Sequence, residues 1–237
     1  MNGLHDQVKR FRVIYHVFRK VSDNAHGNVK GVSGSLTPGS LHKVLTDADV
    51  FGLKFLDIGA GDGRAIAAAL ASGASSASGF ELPDNQATAF IFEAAMRKIE
   101  QSMLFTSSTM CRRRARLDFT DIEQVQPDFF DQLLSNAFSN PCYSVWQVND
   151  LPAGTEIVFT FWVGFPFSTQ IHILYLCACC DSLKTLIVFR DGKWRKPDQI
   201  LRILEKTSER KWSHFRTIIT SMHGSGERKT AWIFLCD

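Results

Sequence analysis

The sequence predicts an α/β protein built on a mostly parallel seven-stranded sheet with helices on both faces. Three observations predict it. Residues 53–63 read Leu-Lys-Phe-Leu-Asp-Ile-Gly-Ala-Gly-Asp-Gly, an apolar strand that runs straight into a glycine-rich turn. An alanine-rich helix over 64–71 follows at once. Beyond it, short β-branched and aromatic runs alternate with stretches at helical spacing, the alternation that builds a parallel sheet.

Residues 4–21 place Leu4, Val8, Phe11, Ile14, Tyr15, Phe18 and Val21 at helical spacing, predicting an amphipathic N-terminal helix. Residues 22–40 are rich in Gly, Ser and Asn and read as loop. Residues 1–40 therefore form a helical extension ahead of a main domain over 41–237. Ser40 is a capping residue type ahead of a helix running to Thr46, with Leu41, Val44 and Leu45 on one face. Strands are expected near 53–58, 77–82, 114–118, 156–162, 184–190, 214–221 and 230–236, and helices near 62–72, 84–104, 167–181 and 197–207. The turn-rich segment 222–229, with Gly224 and Gly226, joins the last two strands into an antiparallel hairpin that closes the sheet. Residues 120–155 lack clear periodicity and read as an insertion, or a helix plus long loop, between the third and fourth strands.

Hydrophobic residues make up 45% of the 237, enough for one large core. No apolar run approaches the ~20 residues that span a bilayer, so no membrane partner is expected. Cysteines 111, 142, 177, 179, 180 and 236 show no paired spacing, which points to a reducing compartment. Cys177-Ala-Cys-Cys180 lies late in a helix without a second pair at ligand spacing, so it reads as small buried residues and no metal is expected. The net charge of +3 gives no global polyelectrolyte signal. Local basic clusters at 9–20, at 112–116 and around Trp194 (Lys193, Arg195, Lys196) permit an acidic partner, nucleic acid or a nucleosome surface.

The glycine turn carries the chemistry. Gly59, Gly61 and Gly63 let backbone come close to a ligand and can take positive φ. Asp57 ends the strand, where its carboxylate can meet a cation or amine. Residues 77–82, Ala-Ser-Gly-Phe-Glu-Leu, read as the next strand, and Glu81 at its end is placed to hold two ribose hydroxyls. A dinucleotide fingerprint is G-x-G-x-x-G with pyrophosphate on the helix N-terminus. Here the pattern is D-x-G-x-G-x-G, with an acid two places before the first glycine.

This pattern resembles motif I of the class I S-adenosylmethionine (SAM) methyltransferases, which have a Rossmann-like seven-stranded sheet. The resemblance implies SAM as cofactor, in contact with Asp57, Gly59, Ala60, Gly61, Gly63, Glu81 and Leu82. The segment Ser33-Gly34-Ser35-Leu36-Thr37-Pro38, followed by a helix and then motif I, resembles the pre-strand loop of the DOT-type histone lysine methyltransferases. Leu117-Asp118-Phe119 resembles the Gly-Asp-Phe of that family, where the acid bonds the adenine amine and the aromatic packs on the ring. Asp121 competes with Asp118 for that role. The family has Asn-Asn-Phe after the fourth strand, whereas this chain has Phe161-Trp162-Val163-Gly164-Phe165-Pro166.

The resemblance implies a nuclear enzyme acting on a histone lysine in chromatin, with Thr37, Phe161 and Trp162 at the methyl-transfer channel. A neutral lysine is the nucleophile, and an aromatic wall from Phe161, Trp162 and Phe165 favours the neutral amine by desolvation and attracts the sulfonium. Other readings remain open. Asn140-Pro141-Cys142-Tyr143 resembles the Asn-Pro-Pro-Tyr loop of enzymes that methylate amide or nucleobase nitrogens. The acceptor is then RNA, DNA or another protein, with a cytoplasmic location as the alternative. A non-catalytic SAM-binding module also fits.

Overall fold

The computed structural model describes residues 2–24, 36–81, 87–101, 115–119 and 150–237. Helix α1 (Asn2–Asn24) and helix α2 (Pro38–Asp47) precede the sheet. Then come β1 (Lys54–Ile58), α3 (Arg64–Ala71), β2 (Ser76–Glu81), α4 (Ala87–Glu100), β3 (Ala115–Phe119) and β4 (Ile157–Thr160). Helix α5 (Phe167–Ala178), β5 (Thr185–Phe189), α6 (Pro197–Thr207), β6 (Trp212–Ser221) and β7 (Arg228–Cys236) follow among the described residues. The seven strands lie in one sheet in the order β3-β2-β1-β4-β5-β7-β6. Strands β1 to β5 pair in parallel, and β7 inserts antiparallel between β5 and β6.

Parallel strands covered on both faces carry continuous apolar runs. Thr185–Phe189 is buried at every position. Successive residues turn to opposite faces. Phe55, Phe159, Ile187 and Ile233 therefore join one core with α1 to α4, and Leu56, Ile58, Val158, Leu186 and Phe234 join another with α5 and α6. The strand order reverses between β1 and β4, and ligands of such sheets bind outside the strand ends at that point.

Helix α1 forms because Phe11, Ile14, Tyr15, Phe18 and Val21 fall on one stripe, and all five are buried in the same core as α2 and α3. Its basic residues Lys9, Arg12, Arg19 and Lys20 face solvent. The expected boundary between residues 40 and 41 falls inside α2. The cap of α2 is Thr37, not Ser40. The Thr37 side chain accepts from Ser40 N, and Pro38 occupies the first helical turn, where its missing N–H costs nothing. Ser40 Oγ accepts instead from Ser221 N at 2.8 Å, and Thr37 N donates to Ser221 O at 2.8 Å. These bonds tie the start of α2 to the end of β6, where Leu36 also bridges Met222.

Candidate functional site: a glycine turn ringed by acids

Strand β1 delivers Asp57 to the carboxyl end of the parallel strands, and the chain turns immediately through Gly59, Gly61 and Gly63 at φ of 80°, 54° and 82°. Side chains other than glycine rarely adopt these angles. The amides of Gly59 and Ala60 both donate to Phe80 O at 3.0 Å, which pins the turn to the end of β2. The covering of the turn is uneven. A Cβ on Gly59 would lie 2.5 Å from Cζ of Phe165, and one on Gly63 would lie 2.3 Å from the Phe92 ring. Among the described residues, a Cβ on Gly61 would meet nothing within 4 Å. Among the described residues the turn is thus flanked by aromatic rings at its ends and open at its middle, where a ligand can approach the backbone. Gly79 on β2 gives the turn its seat, because a Cβ there would meet Ala60 Cβ at 2.6 Å and Ile66 Cδ1 at 2.7 Å.

Three carboxylates converge on this opening. Glu81, 7% exposed, accepts from Gly61 N at 2.5 Å. Asp57 is 2% exposed, and its Oδ1 has no hydrogen-bond partner among the described residues. Burial, then the charges of Glu81 and Asp62, push its carboxyl well above the ordinary range. Asp62 is also raised, by burial first, although Arg64 pairs with it at 2.7 Å. The Arg64 guanidinium lies 5.6 Å from the centre of the Tyr15 ring, so α1 reaches the turn. The Tyr15 hydroxyl donates to Leu36 O, and burial raises its phenol. A site of this kind opposes anions and favours a ligand that carries positive charge beside Asp57.

The expected residues separate into groups. Asp57, Gly59, Ala60, Gly61, Gly63 and Glu81 come together around the turn. Asp118 and Phe119 occupy the end of β3, in register with Phe80 and Glu81. Leu82, Asp121, the segment Ser33 to Ser35, the 140–143 loop and the arginines at 112–114 lie outside the described residues.

The expected channel residues fare differently. Trp162 is 0% exposed, its Nε1 donates to Phe189 O at 2.6 Å, and it stacks on Trp194 at 5.9 Å. It is a core residue rather than a channel wall. The cause is where the strand stops: β4 ends at Thr160, and the chain beyond it turns Phe161 and Trp162 into opposite cores. Phe161 packs at 4.8 Å against Phe189 and is half-buried. Thr37 spends its hydroxyl on Ser40 as a helix cap. Among the aromatics after β4, Phe165 lies against the glycine turn.

Sequence reasoning passed over Asp62, Tyr15 and Gln170. Asp62 was legible as the acid between the second and third glycines. Gln170 is 0% exposed, and its only sequence signal is a polar residue in an apolar helix. Its Nε2 donates to Trp162 O at 3.3 Å, Phe165 O at 3.1 Å and Asp191 Oδ2 at 2.6 Å, and its Oε1 accepts from Trp194 Nε1 at 2.6 Å. One amide therefore holds the loops after β4 and β5 together. Cys177 is buried, with its thiol pushed up by burial, and Cys177, Cys179, Cys180 and Cys236 are all free thiols.

No protein-family model matches the sequence, and no curated protein sequence matches it. Solved structures do match. The chain is similar to a candidate RNA methyltransferase from Pyrococcus horikoshii at 14% identity and a TM-score of 0.52, over 94% of this chain and 98% of that one. It is similar to magnesium protoporphyrin IX methyltransferase from Synechocystis PCC 6803, solved with bound SAM, at 14% identity and a TM-score of 0.50, over 96% and 97% of the two chains. The same enzyme with bound SAH matches at 13% identity and a TM-score of 0.50. At such identities the likeness establishes the fold, and that fold is the class I methyltransferase fold.

Proposed function

We propose that the chain is a SAM-dependent methyltransferase with its cofactor over the glycine turn. The observation that carries this reading is the convergence of Asp57, Asp62 and Glu81 on an opening at Gly61. A pyrophosphate would face three acids there, whereas SAM brings an ammonium and a sulfonium. The residues fit the cofactor in kind. Asp57 holds the cationic methionine end, Gly61 gives access to the backbone, and Glu81 is placed for the ribose hydroxyls. Asp118 and Phe119 are the candidates for the adenine end. The neighbouring porphyrin methyltransferase, solved with SAM, supports the same cofactor.

Bound there, SAM supplies an electrophilic methyl on sulfur. The chain's task is alignment and exclusion of water. Phe165 and Phe92 cover the two ends of the turn, and the Gln170 amide fixes the backbone of Phe165.

The histone lysine acceptor implied by the DOT-type resemblance loses two supports, because Trp162 is core and Thr37 is a cap. Phe161 and Phe165 remain for a lysine channel. The nuclear and chromatin assignments rest on that acceptor and stand or fall with it.

The test is thermal shift and calorimetry of the purified chain with SAM, SAH and NAD. SAM and SAH should raise the melting temperature and NAD should not. Stabilisation by NAD alone would sink the methyltransferase reading. Transfer of labelled methyl to histones, nucleosomes and RNA side by side then reads the acceptor.

A further inference from the structure

We propose that the face after β4 and β5 docks a single-stranded nucleic acid. Its role as methyl acceptor rests on the methyltransferase reading above, but the binding itself does not. The face adjoins the glycine turn through direct contacts. The Phe165 ring lies against Gly59. Lys193 Nζ donates to Phe165 O at 2.9 Å. Phe167, 38% exposed, packs at 5.3 Å against Trp194. An exposed ring and a fixed ammonium thus stand beside the loop whose Phe165 covers one end of the glycine turn.

The charge on this face is mostly positive. Arg190, Lys193, Arg195 and Lys196 are all exposed. The acids of the same stretch are Asp191 and Asp198. Asp191 is turned inward, with Oδ2 accepting from Gln170 and Oδ1 from Lys193 N. Asp198 sits in the first turn of α6, where the helix dipole favours it. The platform is rigid, because Trp194 stacks on Trp162 and donates to Gln170.

Cations beside a stackable ring recognise a polymer with phosphates and accessible base faces. A duplex hides those faces, so the strand is single. A lysine-rich histone tail meets like charge here and is disfavoured.

The experiment is fluorescence anisotropy of the full chain with a labelled RNA of about 12 nucleotides, the matching duplex and a histone H3 tail peptide, across a salt series. The single strand should bind about tenfold more tightly than the duplex, since only it offers base faces. The double variant Arg195→Ser, Lys196→Ser should weaken binding and lower the salt slope by about 1.4. Phe167→Ala should weaken binding about tenfold and leave the slope unchanged. Absent binding, equal affinity for the duplex, preference for the peptide, or variants that bind like the parent would each overturn the proposal. The comparison of strands on the unaltered chain needs no variant to fold. A SAM thermal shift on the same preparation separates the two readings. A shift without RNA binding removes this surface and leaves the methyl donor, whereas RNA binding without a shift keeps the surface and removes its role as acceptor site.

Discussion

Asp57 is a carboxylate held where burial and two neighbouring acids oppose its charge. Its folded pKa is raised, so in the ligand-free protein it contributes stability at low pH that is lost as pH rises through the folded value. A cation beside it reverses this preference and expels the proton. SAM affinity should therefore climb as pH rises from the ordinary carboxylate range toward the raised value and level off above it. Asp57→Asn should flatten that climb and weaken binding at neutral pH by roughly tenfold or more, the worth of a bond to a charged group. It should also raise the melting temperature of the ligand-free chain, because a buried amide costs less than a buried charge. Calorimetry across pH and a melting curve check both halves, and a variant that binds as tightly as its parent would remove Asp57 from the site. Asp57 and Glu81 were legible in the sequence because glycine spacing and strand length fix them locally. Trp162 was not. Which of two adjacent aromatics enters which core depends on where β4 stops, and strand ends are set by partners distant in the chain.

At the scale of elements, α5 shows how a helix can serve a site that it never enters. Gln170 joins the loops after β4 and β5 with four hydrogen bonds from one side chain. Gln170→Leu would leave Trp194 Nε1 and the Phe165 carbonyl without this partner, and should cost about 3 kcal/mol. A denaturant titration measures that cost. Phe165 should then lose its fixed position, so turnover should fall more than SAM affinity. Equal losses in both would argue for general destabilisation alone. On β2, Gly79→Ala would drive a methyl into Ala60 and Ile66 and should cost about 1–3 kcal/mol, read from the shift in denaturation midpoint. The helices themselves were readable from apolar spacing, but their ends were less so. Thr37 and Ser40 are both capping residue types, and what distinguishes them is Pro38 at the first turn and the distant claim of Ser221 on the Ser40 hydroxyl.

At the scale of the whole molecule, α1 belongs to the core. Phe11, Ile14 and Phe18 are each 0% exposed, and Tyr15 touches the arginine of the glycine turn. Each such side chain is worth about 1.5–3 kcal/mol of burial, and a domain has only ~5–15 kcal/mol in total. Removal of residues 1–24 should abolish cooperative melting, and Phe18→Ala should cost about 3–5 kcal/mol in denaturant. Circular dichroism melting of both variants is the check. The heptad-like apolar spacing made the helix legible, whereas its reach to Arg64 could be known only once the fold placed it.

Strand β7 lies between β5 and β6, although it follows both in the chain. A growing polypeptide can therefore zip β1 through β5 in parallel while β6 waits without a neighbour to accept its amides. Only when Arg228–Cys236 slides into the gap does the sheet gain both strands of its antiparallel pair at once. A frameshift or premature stop between β6 and β7 would thus remove two strands rather than one. The tether of α2 to Ser221 would lose its anchor with them.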